Sequence, residues 1–156
     1  MTVEDVMTRD VVTVTPAMSI HEAARLMIDH GVSGLPVVND EGQLLGIISD
    51  GDLILRHKRT EGRPWWRRFF EDGERLAREY QKAGGTTVGE VMTRPALSIS
   101  PVFGIETAAS IFLNRRIRRL PVVRDGKLVG IVSRGDLLKA LVTPPSGTLP
   151  SSAHQR

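Results

Sequence analysis

The sequence predicts an α+β fold in which two pseudo-symmetric β-α-β-β-α repeats pack sheet to sheet, with a helical insert between them. Three observations predict it. The phrase GIISDGDL at residues 46–53 returns as GIVSRGDL at 130–137. Sliding the chain by 85 positions also lays TVEDVMTR (2–9) on TVGEVMTR (87–94) and LPVV (35–38) on LPVV (120–123). Within each copy, short β-branched runs alternate with segments of helical period. One residue is missing from the second copy's turn, NDEGQLLG against RDGKLVG, so the offset falls to 84 before the closing phrase. Residues 2–53 and their counterparts share 23 identities, which marks a duplication. A unit of roughly 55 residues buries little apolar surface alone, and two units sharing a core resolve that.

The elements follow in order. VVTV (11–14) is short and β-branched and is ended by Thr15-Pro16, so it reads as a strand. Ser19 and Glu22 have the spacing of a capping box, opening a helix whose apolar face is Ile20, Ala23, Ala24, Met27 and Ile28. Ile105, Ala108, Ala109, Phe112 and Leu113 take those places in the second copy. Gly31 suits the carboxy-terminal cap of the first helix, where the second has Arg116. LPVV and QLLGIIS read as two strands of a hairpin around Asn39-Asp40-Glu41-Gly42, with proline tolerated at the strand's start. A last helix opens at SDGD or SRGD. Ser49 with Asp52, and Ser133 with Asp136, again have capping-box spacing, and that alone accounts for the pairs.

Composition narrows the functional classes. The chain has 156 residues, 40% of them hydrophobic and 25% charged, as expected of a soluble globular protein. The absence of cysteine excludes thiol catalysis, disulfides and thiolate metal sites. No apolar run approaches the roughly 18 residues of a membrane span, and MTVEDVMTRD has no apolar leader core, so a cytoplasmic location is expected. His21, His30, His57 and His154 have no partners at metal-site or triad spacing, and a Ser–Asp pair without a base is not a nucleophile. No enzyme and no metal site are expected.

The succession VMTR…TP…LPVV…G-I-[IV]-S-x-G-D-L, present twice and in order, resembles a tandem pair of CBS domains, often called a Bateman module. The match places repeat 1 at 1–58 and repeat 2 at 86–143. The resemblance implies two clefts between paired sheets, a regulatory role through an adenosine-containing ligand (AMP, ADP or ATP), and association into dimers. No cofactor is required by it. The family's G-h-x-[ST]-x-x-D motif falls on Gly46, Ser49 and Asp52, and on Gly130, Ser133 and Asp136, whose hydroxyl and carboxylate would hold ribose. An ionised acceptor for two vicinal hydroxyls is a strong arrangement, and Gly51 and Gly135 would leave room for the sugar.

By the same resemblance, backbone groups near Thr13-Val14 and Ser98-Ile99 would read the adenine edge, and Pro36-Val37 and Pro121-Val122 would cover its face. Phosphates need cations or helix amino termini. The second copy offers Arg118 and Arg119 directly before LPVV, where the first has Ser33 and Gly34, and Arg134 where the first has Asp50. The cleft nearest Arg118 and Arg119 is therefore the expected phosphate binder.

The segment assigned to 59–85 departs from the repeat. It holds five of the seven aromatic residues, Trp65, Trp66, Phe69, Phe70 and Tyr80, and the stretch from Arg56 to Lys82 carries the chain's basic excess, which is +3 overall. Pro64 suits a first helical turn, Trp65–Phe69 and Trp66–Phe70 stand at i, i+4, and Gly84-Gly85 ends the pattern, so one or two helices are predicted. It resembles the insert of bacterial CBS-pair proteins that carry a further BON-type domain, and no such domain is expected here. Its aromatics can pack on the module or across a homodimer, or dock a protein partner through 64–80. An alternative function is an interaction scaffold with empty clefts acting through the Trp65–Phe70 surface; nucleic-acid or membrane-surface contact is the lesser candidate. The tail at 144–156 is Pro/Ser-rich and expected to be disordered.

Overall fold

The computed structural model describes residues 1–55 and 86–143; the insert assigned to 59–85 and the tail at 144–156 lie outside the described residues. Each repeat follows one course. A single helical turn, α1 (Val3–Val6) in the first copy, leads through an extended passage to a long helix, α2 (Ile20–His30). An antiparallel hairpin, β1 (Gly34–Val38) with β2 (Leu44–Ser49), and a closing helix, α3 (Asp50–Leu55), complete it. The second copy repeats this as α4 (Val88–Val91), α5 (Ile105–Arg115), β3 (Arg119–Arg124) with β4 (Lys127–Ser133), and α6 (Arg134–Val142).

Local chemistry accounts for the element ends. Ser19 Oγ accepts the Glu22 amide at 3.1 Å, and the Glu22 carboxylate accepts the Ser19 amide at 3.3 Å, satisfying two amides that α2 leaves unpaired. Gly31 ends α2 in the left-handed region at φ 61°. Arg116 takes the same conformation at φ 53° without glycine's freedom. Here the end of α5 is held from outside: Arg134 donates to the carbonyls of Phe112 (3.2 Å) and Ile117 (3.0 Å), a cation at the negative pole of the helix. In the first hairpin Asn39 Oδ1 accepts the amides of Glu41 and Gln43, shaping the turn.

The strands expected at VVTV and its counterpart shrink to one residue each. Val14 bridges Val37, and Ile99 bridges Val122, both in parallel sense. Pro16 and Pro101 follow two residues later and have no amide to extend the ladder, so the chain turns away. On this side each hairpin is therefore extended by a single bridge.

The cores reveal an exchange that local patterning does not show. Val3 and Met7, from the start of the first copy, are buried with Phe112, Leu120, Val122 and Val132 of the second. Val88 and Met92, from the start of the second, are buried with Met27, Leu35, Val37 and Ile48 of the first. Backbone bridges fix the exchange in mirrored pairs: Thr2–Gly104 with Ser19–Thr87, and Thr8–Ile131 with Thr93–Ile47. The motif glycines are its steric condition. A Cβ at Gly46 would lie 2.7 Å from the Thr93 carbonyl oxygen and 3.0 Å from Met92 Sδ; at Gly130 it would lie 2.7 Å from Met7 Sδ and 2.9 Å from the Thr8 oxygen. Equivalent residues also meet at the turns, where Gln43 bridges Lys127, so a pseudo-twofold axis passes between the hairpins.

One expectation about the long helices is corrected. Ile20, Ala23 and Met27 are buried, as are Ala108 and Phe112, but Ile28 is 79% exposed and its counterpart Leu113 is 74% exposed. Leu138, Leu141 and Val142 of α6 are exposed as well. These apolar side chains lie outside the two cores.

Candidate functional site

Both Ser–Asp pairs are capping boxes in the fold. Asp52 Oδ2 accepts the amide and hydroxyl of Ser49 at 2.9 and 3.1 Å, and the Asp52 amide donates back to Ser49 Oγ. Asp136 Oδ2 accepts the amide and hydroxyl of Ser133 at 2.8 and 2.9 Å, with the same return bond. Each cap uses one carboxylate oxygen and leaves the other, Oδ1, projecting from the cap. Capping and ligand binding are thus compatible demands on the same side chain.

The surroundings of the two Oδ1 atoms differ. Thr93 Oγ1 donates to Asp52 Oδ1 at 3.1 Å. Asp136 instead lines a cavity of about 370 Å³ between the repeats, a size suited to a small organic ligand. The first repeat contributes Thr8, Asp10, Val12 and Pro36 among others, and the second contributes Ile131, Ser133 and Arg119. Half-buried Arg119 crosses between repeats, donating to Ser33 Oγ at 2.9 Å and to the Gly34 carbonyl at 3.4 Å. Among the described residues it is the single guanidinium in the lining, which also holds the carboxylates of Asp10 and Asp136.

The other residues singled out in the sequence divide. Pro36 lines the cavity. Val14 and Val37 are 1% and 0% exposed within the first core, and Ile99 and Val122 are buried in the second, so their side chains cannot cover a base. The amides of Val14 and Ile99 are committed to the carbonyls of Pro36 and Pro121, which removes them as readers of a base edge. Thr13 is half-buried beside that bridge, Ser98 is exposed, and Pro121 is buried. Arg118 is exposed and outside the cavity lining, and Arg134 is turned to the end of α5. A Cβ at Gly135 would meet only Ser133 Oγ at 3.5 Å, an ordinary contact, so the protein's own packing does not require glycine there.

Sequence reasoning missed Thr8, Asp10, Val12 and His30, which line the cavity. They lie on the far repeat from Asp136. For Thr8 the signal available was the repeated VMTR (6–9 and 91–94), whose glycine-sized landing place recurs as Gly46 and Gly130.

A family model described as CBS domain matches residues 3–58 and 88–143. CBS domain-containing protein CBSX1, chloroplastic, of Arabidopsis thaliana is 35% identical over 153 residues, covering 89% of this chain. The chain spans 63% of the length of that relative. The crystal structure of CBSX2 from Arabidopsis thaliana in complex with AMP has a TM-score of 0.70 at 35% identity, covering 90% of this chain and 95% of that one. The CBS domain pair of protein MJ0100, in complex with 5′-methylthioadenosine and S-adenosyl-L-methionine, has a TM-score of 0.65 at 25% identity, covering 90% and 95%.

Proposed function

Because the chain belongs to the CBS-domain family, of which it carries a tandem pair, we propose that it is a non-enzymatic regulatory module that binds an adenosine-containing ligand in the cleft at Asp136. The observation that carries this is Asp136: the cap consumes its Oδ2, leaving Oδ1 outside the cap, and the residue lines a cavity of about 370 Å³, a size suited to a small organic ligand. A ribose diol supplies two hydroxyl donors to such an acceptor. Half-buried Val11, Val12 and Val32 offer apolar surface to the base, whereas Pro36 is too deeply buried to do so. Thr13, half-buried beside the Val14 bridge, is the candidate reader of the base edge, and a Cβ at Gly135 would meet only Ser133 Oγ. Arg119 is the candidate phosphate contact. Among the described residues the lining sets one guanidinium against two carboxylates, so a ligand with few phosphates is favoured and AMP should outcompete ATP. The crystallised relative with AMP supports the choice of ligand class.

The cavity is walled by both repeats, so a ligand there favours one relative placement of the two and shifts the population toward it. A homodimer that covers exposed apolar side chains of the helices, Leu138 and Leu141 of α6 among them, is the accompanying proposal; Leu141→Asp should shift the sedimentation of the protein from dimer to monomer.

Calorimetric titration and thermal melting with AMP, ADP, ATP and S-adenosylmethionine test the function. AMP at about 100 times its Kd should add about 2.7 kcal/mol and raise the Tm by roughly 5–10 °C. Asp136→Asn should lower AMP affinity by about tenfold or more. No response to any of the four ligands would sink the reading in favour of a scaffold with empty clefts.

A further inference from the structure

The two repeats deliver the same residue type to their clefts on the same backbone, yet the side chains end differently. Thr93 exchanges backbone hydrogen bonds with Ile47 at 2.8 and 3.1 Å; Thr8 does the same with Ile131 at 2.8 and 2.9 Å. The Thr93 hydroxyl then donates to Asp52 Oδ1 at 3.1 Å. Thr8 lines the cavity with Asp136, and among the described residues no hydroxyl is bonded to Asp136 Oδ1.

A diol approaching Asp52 meets an oxygen that already holds a charge-assisted hydrogen bond, with the donor standing where a ribose hydroxyl would stand. Binding there must first break that bond and move Thr93, whereas at Asp136 no hydroxyl of the described residues has to be displaced from Oδ1. Arg119 adds to the difference, since its guanidinium lies along the Asp136 cavity and its mirror position is Gly34, which carries no charge.

Resting on the adenosine-binding reading, we propose that Thr93 is the residue that makes the clefts unequal: it acts as a built-in substitute for a ribose hydroxyl on Asp52, so that the chain takes one adenosine ligand, at Asp136. The probe is AMP and the readout is stoichiometry per chain by titration calorimetry. The unaltered protein should bind one AMP, and its crystals grown with AMP should show the nucleotide beside Asp136 alone. Thr93→Ala should bind two, and Thr93→Ser, which keeps the hydroxyl, should bind one. In the Thr93→Ala, Asp136→Asn double variant one site should remain, now at Asp52. The AMP-free Tm of each variant reports its folding, and two AMP molecules in the crystal of the unaltered protein would overturn the proposal even where Thr93→Ala does not fold. Two AMP molecules in the unaltered protein, or one in a folded Thr93→Ala, would overturn the proposal while the functional reading stands. AMP binding by no variant would overturn both.

Discussion

Around Asp52 and around Asp136 the chain follows the same path through the same motif, and the caps are alike to within about 0.2 Å in their hydrogen bonds. What differs is supplied by the opposite repeat and by isolated substitutions. Thr93 is spent on its aspartate, whereas Thr8 is not. Where the first repeat ends its long helix with Gly31, the second has Arg116 and draws Arg134 into service at that helix end. An arginine at the mouth of a closing helix looks like a phosphate ligand in the sequence, yet here it holds the helix end at which Arg116 stands in the place of a glycine. Duplication supplied two equal scaffolds, and single side chains decide which is open.

The comparison can be broken most sharply in the cores. Met27 and Phe112 occupy equivalent positions and are both buried, the latter 2% exposed. Phe112→Ala should cost about 3–5 kcal/mol and Met27→Ala about 2–5 kcal/mol by urea denaturation. Because each core contains the other repeat's entry segment, either variant should unfold the whole molecule in one transition. Two separate transitions would show the halves to be independent.

Glycine substitutions sharpen the contrast between packing and ligand demands. Gly46→Ala and Gly130→Ala should each destabilise by about 1–3 kcal/mol, because the added carbon collides with the crossing backbone. Gly135→Ala should change stability by less than about 1 kcal/mol, yet weaken AMP binding. Equal Tm losses at 130 and 135 would contradict the packing account.

The smallest effect concerns how the two entry turns are held. Glu4 of α1 pairs with Arg124 at 3.0 Å and Arg9 at 3.4 Å, whereas its mirror position is Gly89. The hydrogen bond from Arg124, aided by Arg9, holds the Glu4 carboxyl below its ordinary range. A group lowered on folding stabilises the native state above its unfolded pKa, and that contribution is lost as pH falls through the folded value. The Tm advantage of the unaltered protein over Glu4→Gln should therefore be slight at neutral pH, shrink as pH falls below about 4, and shrink in high salt. An advantage that grew on acidification would refute the ion pair's role.

Much of this was legible because it is local. The duplication, the capping boxes at Ser19, Ser49 and Ser133, the hairpin at Asn39–Gly42 and the left-handed close at Gly31 each depend on residues within a few positions of one another. The Ser–Asp pairs were found for the same reason. What escaped depends on the other repeat. The burial of Val14, Val37, Ile99 and Val122 follows from cores completed by Val88 and Val3, which no periodicity within a repeat reports. Ile28 and Leu113 belong to the apolar stripe by spacing, but the exchanged turns fill the cores without them. Thr8 and Asp10 reach Asp136 across 120 residues of chain or more, so their spacing carries no motif.

The crossing of the entry turns has a consequence for dissection of the chain. Severed from its neighbour, the first repeat would keep Val3 and Met7 with nowhere to insert them, while the groove over Gly46 lay uncovered. Since TVEDVMTR and TVGEVMTR differ at two places only, one route to closure is open to such an orphan: two copies trading arms, each lending its valine and methionine to the other. A single repeat of this design is half of a handshake, and the tandem gene product is that handshake tied into one thread.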